Sequence, residues 1–115
     1  MAGTKPRRRA SVVLILAAYP GRPAAERAAK LLVGERLLAC ATVLPGGRAV
    51  YVWRGRRHAD PCTLLQGKTT AARSRAAVRR IRETHPDQVP EILVLDVVGG
   101  DAAYLAWVAE EVSGR

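Results

Sequence analysis

The spacing of apolar and polar residues predicts two buried strands and three helices. Residues 11–18 and 91–98 are nearly continuous apolar runs, which are typical of buried strands. Apolar residues instead recur every three or four positions over residues 23–36 and 71–84, which indicates helices with one apolar side. Residues 102–112 also have helical composition, but they are apolar nearly all round.

The middle of the chain predicts an interrupted strand, a polar turn and a further strand. Residues 38–44 and 48–54 are both strand-like, and Pro45-Gly46-Gly47 separates them. Because strand-like residues flank these three on both sides, we expect a bulge or bend rather than a hairpin turn. Residues 55–61 are polar and predict a turn, and residues 63–69 predict the next strand.

The resulting element order is β-α-β-β-α-β with a C-terminal helix. This order predicts an α+β, ferredoxin-like fold, in which the helices pack on one face of an antiparallel sheet. Thr70 and Asp101 stand where the N-caps of the last two helices are expected. A length of 115 residues fits one domain, which we assign to residues 11–115. Residues 1–10 are predicted to be a disordered basic tail.

Two features indicate that a single chain does not bury all of its apolar surface. The C-terminal helix has no polar side, so it needs cover from more than one direction. The last strand is expected at a sheet edge, yet Ile92-Leu-Val-Leu95 carries no charge that would discourage pairing. A closed oligomer covers both features, and the alternative is a monomer whose C-terminal helix alone covers the sheet.

The charge balance is strongly basic, with 19 Lys and Arg against 10 Asp and Glu, a net charge of +9. Such a charge allows an anionic partner or ligand, and it raises the possibility of a nucleic-acid-binding module that uses Arg54, Arg56, Arg57 and the helix over 73–82. RNA-recognition domains of this fold stack bases on aromatic residues of the central strands. Residues 12–18 and 63–69 contain none. Nucleic acid is therefore the alternative rather than the leading interpretation.

The cysteines and the N-terminal residues place the protein in the cytoplasm. Cys40 and Cys62 are too few for a disulfide scaffold and are read as small apolar residues in a reducing compartment. A basic segment followed by the apolar run 12–18 has the form of a short leader sequence, but the run is better read as a buried strand. No apolar run approaches the roughly 18 residues of a membrane helix, so no membrane partner is expected.

Candidate catalytic residues are scarce, and the sequence predicts that the protein is not an enzyme. A nucleophile-and-base pair would require Cys40 or Cys62 beside a histidine, and the carboxylates are scattered. The Gly-Lys-Thr at 67–69 is not a phosphate-binding loop, because it lies inside a predicted strand. The motif also requires a glycine at position 62, which is occupied by Cys62.

Histidine and aromatic residues supply the remaining candidate sites. His58, Cys62 and His85 are soft ligands suited to copper or zinc. The alternative interpretation of His85 is a helix-capping residue, because it directly follows the helix predicted over 71–84. Four of the five aromatic residues form two pairs, Tyr51 with Trp53 on a strand and Tyr104 with Trp107 on a helix, and such pairs suit a subunit interface.

Five motifs in order give the chain a recognisable resemblance. They are Leu38-Ala-Cys-Ala-Thr-Val-Leu-Pro-Gly46, Tyr51-x-Trp-x-Gly55, Lys68-Thr69, His85-Pro-x-x-Val-Pro-Glu-Ile92 and Tyr104-Leu-Ala-Trp107. With these motifs the chain resembles the divalent-cation tolerance family, CutA, from about Ser11 to Trp107.

The resemblance implies a homotrimer of ferredoxin-like subunits that takes part in tolerance of divalent cations, copper in particular, with no established catalytic reaction. It implies weak binding of a divalent metal at or near His85. It also implies an inter-subunit cleft lined by Tyr51, Trp53, Lys68, Glu91, Tyr104 and Trp107. The chain departs from the family pattern at Leu16, where some members carry a cysteine, and at Asp87, where a tyrosine is usual.

Overall fold

The elements of the protein follow the predicted order. A computed structural model describes residues 11–113, and the predicted tail, residues 1–10, lies outside them. The elements are β1 (Val12–Tyr19), α1 (Arg22–Gly34), β2 (Cys40–Trp53), β3 (Arg56–Thr70), α2 (Ala71–Thr84), β4 (Ile92–Asp96) and α3 (Ala102–Glu111). Within this range no helix is both long enough and apolar enough to cross a membrane.

The strands form one antiparallel sheet in the order β2-β3-β1-β4. The apolar run at the start of the chain supplies β1, which is central because it pairs with β3 on one side and β4 on the other. β2 and β4 are the edges, as expected for the last strand. The predicted α+β fold is confirmed.

The hairpin of β2 and β3 differs from the prediction, because the polar turn predicted over 55–61 is wrong. β3 is 15 residues long and already begins at Arg56. The connection is only Arg54 and Gly55, with φ of 51° and 80°, which is the two-residue hairpin turn with positive φ at both positions. Pro61 is tolerated in β3 because β1 ends opposite Thr63, so that β2 is the neighbour of β3 within the chain there.

The predicted bulge is confirmed in β2. The register between β2 and β3 shifts between Leu44 and Gly47. Gly46 has a φ of 94°, a conformation that side chains rarely adopt, so the Pro-Gly-Gly sequence provides the extra residue without breaking the strand.

α1 and α2 cover one face of the sheet. Side chains alternate along a strand, so Ile15, Ala17 and Tyr19 of β1 point toward these helices and are buried. They pack in the main core with the small or branched residues Ala25, Ala28, Leu32, Leu38, Leu65, Ala77 and Ile81.

α3 packs at one end of the opposite face. Val12 points away from the main core and forms a second cluster with Ala39, Val108 and Val112. Asp101 caps α3 as predicted, accepting a hydrogen bond from the Tyr104 N–H at 2.9 Å. At the other end of the helix, Arg73 Nε donates to the Val112 carbonyl at 2.7 Å. α3 is thus held at both ends.

The rest of that opposite face is not covered within one chain and is mostly apolar, although Thr42, Gln66 and Lys68 also lie on it. Cross-strand register places six leucines on it, and we call them the leucine face: Leu14, Leu16, Leu44, Leu64, Leu93 and Leu95. Leu93 is 50% exposed, and Leu44 and Leu95 are exposed to a similar degree. Contiguous apolar surface of this kind marks an interaction site.

Close packing at Gly67 gives a test of the core. A Cβ there would lie 2.7 Å from Leu38 Cδ1, and Leu38 is only 1% exposed. We expect Gly67→Ala to lower the free energy of unfolding by about 1–3 kcal/mol through overpacking. Gly34→Ala is the control, because its added Cβ meets no atom within 4 Å. Urea unfolding of both variants checks this, and equal stabilities would contradict it.

Candidate functional site

His85 occupies a buried position that joins α2 to the sheet. It is the C-cap of α2, and its ring stacks on that of Tyr19 with the centroids 4.4 Å apart. Its Nδ1 accepts a hydrogen bond from the Asp87 N–H at 3.0 Å. Since Nδ1 is the acceptor, the proton of the neutral ring resides on Nε2, which donates to the Ala18 carbonyl at 2.6 Å.

These contacts bear on metal binding. Both ring nitrogens of His85 are already bonded to the backbone, so a metal ion has to displace one of these bonds. Residues 11–113 contain no group of three or more His, Cys, Asp or Glu side chains placed to hold a metal ion. One chain therefore does not supply a coordination set at His85, and metal binding there stays a prediction.

The projecting half of the hairpin carries the first group of predicted cleft residues. We call it the arm, residues 47–62, because it extends beyond β1. On the arm, the Tyr51 hydroxyl donates to Asp60 Oδ2 at 2.6 Å, and the Tyr51 ring stacks on His58 at 5.0 Å. The hydrogen bond to Asp60 is the main cause of a raised pKa at Tyr51. Trp53 is 41% exposed, with the Arg54 guanidinium 5.4 Å from its ring centroid.

The opposite end of the hairpin carries the second group. Lys68 Nζ donates to Thr42 Oγ1 at 2.8 Å and lies 4.0 Å from Cys40 Sγ. Partial burial is the main cause of a raised pKa at Tyr104, and the neighbouring Cys40 adds to it. The Tyr104 and Trp107 rings are 5.7 Å apart on α3. A cation, a thiol and two rings thus meet where α3 joins the sheet.

One chain does not bring the two groups together. His58, which pairs with Tyr51, and Lys68 are both on β3, ten residues apart in the sequence. Along an extended strand that separation is about 33 Å. A cleft that contains Tyr51 and Trp53 together with Lys68 and Tyr104 therefore requires a second chain.

Glu91 lies between the two groups. Its carbonyl accepts a hydrogen bond from the Ala18 N–H at 3.2 Å, which holds it beside the end of β1. Burial raises the pKa of the Cys62 thiol, and the negative charges of Glu91 and Asp87 raise it further. This environment disfavours the thiolate, the reactive form of cysteine.

Several residues of these groups were not singled out by the sequence. The predicted first strand ends at Ala18, whereas Tyr19 is the last residue of β1 and is 2% exposed. Asp60 and Thr42 contact Tyr51 and Lys68 only through pairing of β2 with β3. Residues 56–60 have no alternation typical of a strand, because Arg56, Arg57 and His58 are consecutive polar residues, so the sequence carries no signal for this pairing.

Comparison with known proteins gives a consistent result. Residues 13–111 match the family described as CutA1 divalent ion tolerance protein. The chain is 38% identical over 96 residues to the divalent-cation tolerance protein CutA of Pectobacterium atrosepticum, covering 84% of this chain and 87% of that protein. The same protein of Citrobacter koseri is 36% identical, with 84% of each chain covered.

Solved structures agree with the sequence comparison. CutA from Xylella fastidiosa superposes with a TM-score of 0.87 at 37% identity, covering 90% of this chain and 99% of the other. CutA1 from Oryza sativa has a TM-score of 0.87 at 28% identity, with 91% and 96% covered. These matches do not favour the alternative of a nucleic-acid-binding module.

The buried hydroxyl of Tyr19 predicts a loss of stability at alkaline pH. Within residues 11–113 the hydroxyl has no hydrogen-bond partner, and burial raises the pKa of Tyr19 to about 12. An unfolded tyrosine ionises near pH 10, so between about pH 10 and 12 the unfolded state has released this proton and the folded state still holds it. The stability contributed by neutral Tyr19 is complete below about pH 10 and falls as the pH rises through this window.

We therefore expect Tyr19→Phe to be as stable as the wild type or slightly more stable at pH 7, because it removes an unpaired hydroxyl but keeps the ring. Its advantage over the wild type should grow as the pH rises from about 10 to about 12. Denaturant unfolding at several pH values measures the difference. A difference that is independent of pH would contradict the assignment.

Proposed function

Because the chain belongs to the CutA1 divalent ion tolerance family, we propose that it acts in divalent-cation tolerance as a homotrimer that binds copper weakly and catalyses no reaction. The observation that carries the trimer is the leucine face, since six leucines on one side of a sheet need cover. The edge strand β4 supports the same conclusion, because Ile92–Leu95 carry no charge and their outer edge can join the sheet of another copy.

The positions of the aromatic residues support a cleft between subunits. Tyr51 and Trp53 are each more than 40% exposed on the arm, and so are Tyr104 and Trp107 on α3. In a ring of identical subunits, the arm of one chain reaches the α3 region of the next without any change in either chain. The proposed cleft is then built from Tyr51 and Trp53 of one subunit and Lys68, Tyr104 and Trp107 of its neighbour.

The hydrogen bonds of His85 favour weak rather than tight binding of copper. A metal ion at Nδ1 replaces the Asp87 N–H bond, and one at Nε2 replaces the bond to the Ala18 carbonyl and removes a proton. Either exchange lowers the net affinity. Asp87 Oδ2, 4.0 Å from Nδ1, is the nearest acidic oxygen to contribute a second ligand.

The non-enzymatic and cytoplasmic parts of the proposal rest on the cysteines. Cys40 and Cys62 are both free, which suits a reducing compartment. The raised pKa of Cys62 keeps that thiol protonated, and His85 uses both ring nitrogens in backbone bonds. Neither residue is then arranged as a nucleophile or a general base.

The trimer is tested by light scattering coupled to size exclusion. The expected mass is about three times the chain mass of 12.4 kDa. Leu95→Glu places a charge on the leucine face and should prevent assembly, so that the protein has the mass of a monomer. Val33→Glu is the matched control, because Val33 is 40% exposed but lies on α1.

A wild-type monomer at every concentration would overturn the trimer, whatever the variants do. A Leu95→Glu protein that keeps the mass of the wild type would show that the leucine face is not the interface. Circular dichroism separates loss of assembly from loss of folding.

The copper proposal is tested by calorimetric titration of the metal-free protein. Weak, saturable binding is expected for the wild type, and its loss is expected in His85→Asn, whose amide oxygen can still accept from the Asp87 N–H. His58→Asn is the matched control, since His58 is the other histidine of the chain. Unchanged binding in His85→Asn, with loss in His58→Asn, would move the metal to the arm and overturn the assignment.

A further inference from the structure

The charges of the chain are segregated between its two sides. Residues 22–36 and 71–84, which contain α1, α2 and the turn after α1, hold nine Lys and Arg against three Glu. Residues 85–113, which contain β4 and α3, hold six Asp and Glu and no Lys or Arg. The excess of positive charge within the folded chain is therefore concentrated on the helical side and on the arm.

Three arginines of α2 form an exposed row that we call the arginine stripe: Arg75, Arg79 and Arg82. Their spacing of four and three residues places them on one face of the helix, over about 10 Å of its axis. Within residues 11–113 none of the three forms an ion pair or a side-chain hydrogen bond. Like charges at this spacing repel, so the stripe is stabilised by any anion that binds it.

The other arginines of α2 behave differently. Arg73 donates to the Val112 carbonyl, and Arg80 binds the Glu35 carboxylate through Nε and Nη2 at 2.9 and 3.0 Å. The paired contact of Arg80 demonstrates that a guanidinium on this helix can take an anion with two parallel bonds. On the neighbouring α1, Glu26 is bound by Arg22 at 2.7 Å, which partly neutralises that helix. On α2, the positive charge that has no hydrogen-bonded or ion-paired partner within residues 11–113 thus lies along one narrow row.

The surroundings of the stripe restrict the chemistry of its partner. None of the aromatic residues lies on α1 or α2, so bases of single-stranded nucleic acid find no ring to stack on. Val33 is the only exposed large hydrophobic residue of these two helices, so neither helix can insert into a membrane surface. A duplex presents two rows of phosphates across a groove about 12 Å wide, whereas the stripe is a single row.

We propose that the arginine stripe binds linear inorganic polyphosphate. A single phosphate chain without bases or apolar groups matches a single row of guanidinium groups, which bind phosphate oxygens through paired N–H donors. Phosphate oxygens are also good ligands for hard divalent cations, so the polymer would carry such cations to the surface of a cation-tolerance protein. The binding surface itself depends on neither the trimer nor a metal site at His85.

The test is binding of the full-length protein to fluorescently labelled polyphosphate, measured by anisotropy over a range of salt concentrations. The triple variant R75Q/R79Q/R82Q should bind at least about tenfold more weakly, and its salt dependence should fall by about 2 in log–log slope, because three phosphate contacts are lost. R54Q/R56Q/R57Q, on the arm, is the matched control with the same change of charge, and it should bind like the wild type.

The remaining outcomes each decide against the proposal. Equal losses in the two triple variants would mean that polyphosphate responds only to net charge. Tighter binding of duplex DNA than of polyphosphate, lost in R75Q/R79Q/R82Q, would assign the stripe to nucleic acid. No binding by the wild type at low salt would exclude a polyphosphate surface, and circular dichroism of each variant checks that the fold is retained.

Discussion

The structure depends on how a four-stranded sheet buries two apolar faces with only three helices. α1 and α2 cover the centre of one face, where Ile15, Leu65 and Ile81 are fully buried. α3 covers only one end of the other face, through Val108 and Val112. The leucines left over belong to the same strands as the core, and alternation along a strand fixes them on the open side. A strand that is apolar on both faces therefore commits the protein to a further contact.

The long hairpin is the second consequence of this arrangement. Because β1 is eight residues long and β3 is fifteen, nearly half of β3 extends past the central strand. The arm exposes Val50 and Val52 on one side and Tyr51 and Trp53 on the other. It places its aromatic residues about 33 Å from Lys68, beyond the reach of any side chain. The predicted cleft residues therefore form two separate groups in each chain, one on the arm and one near α3.

The junction of β1 and α2 shows why a buried histidine need not be a metal ligand. His85 closes α2, stacks on Tyr19 and bonds to backbone groups on two segments. Every polar atom of the ring is satisfied by a group that the fold already supplies, which makes the residue a structural link between helix and sheet. The arginines of α2 divide along the same line. Arg73 and Arg80 bond to other elements and so have a structural role, whereas Arg75, Arg79 and Arg82 contact solvent.

By itself, the sequence determined the order of the elements, the α2 boundaries, the bulge after Leu44, the edge position of the last strand and, through five motifs, the family. These features depend on local periodicity and on single residues such as Gly46, which can be recognised without knowing what they touch. Tertiary structure alone decided that residues 56–62 are a strand, because polar residues form a strand only when a partner such as β2 supplies the hydrogen bonds. It also decided that the leucines share one face, that His85 is bonded at both nitrogens and that the predicted cleft residues fall into two groups. Each of these depends on register between segments far apart in the chain, which periodicity does not encode.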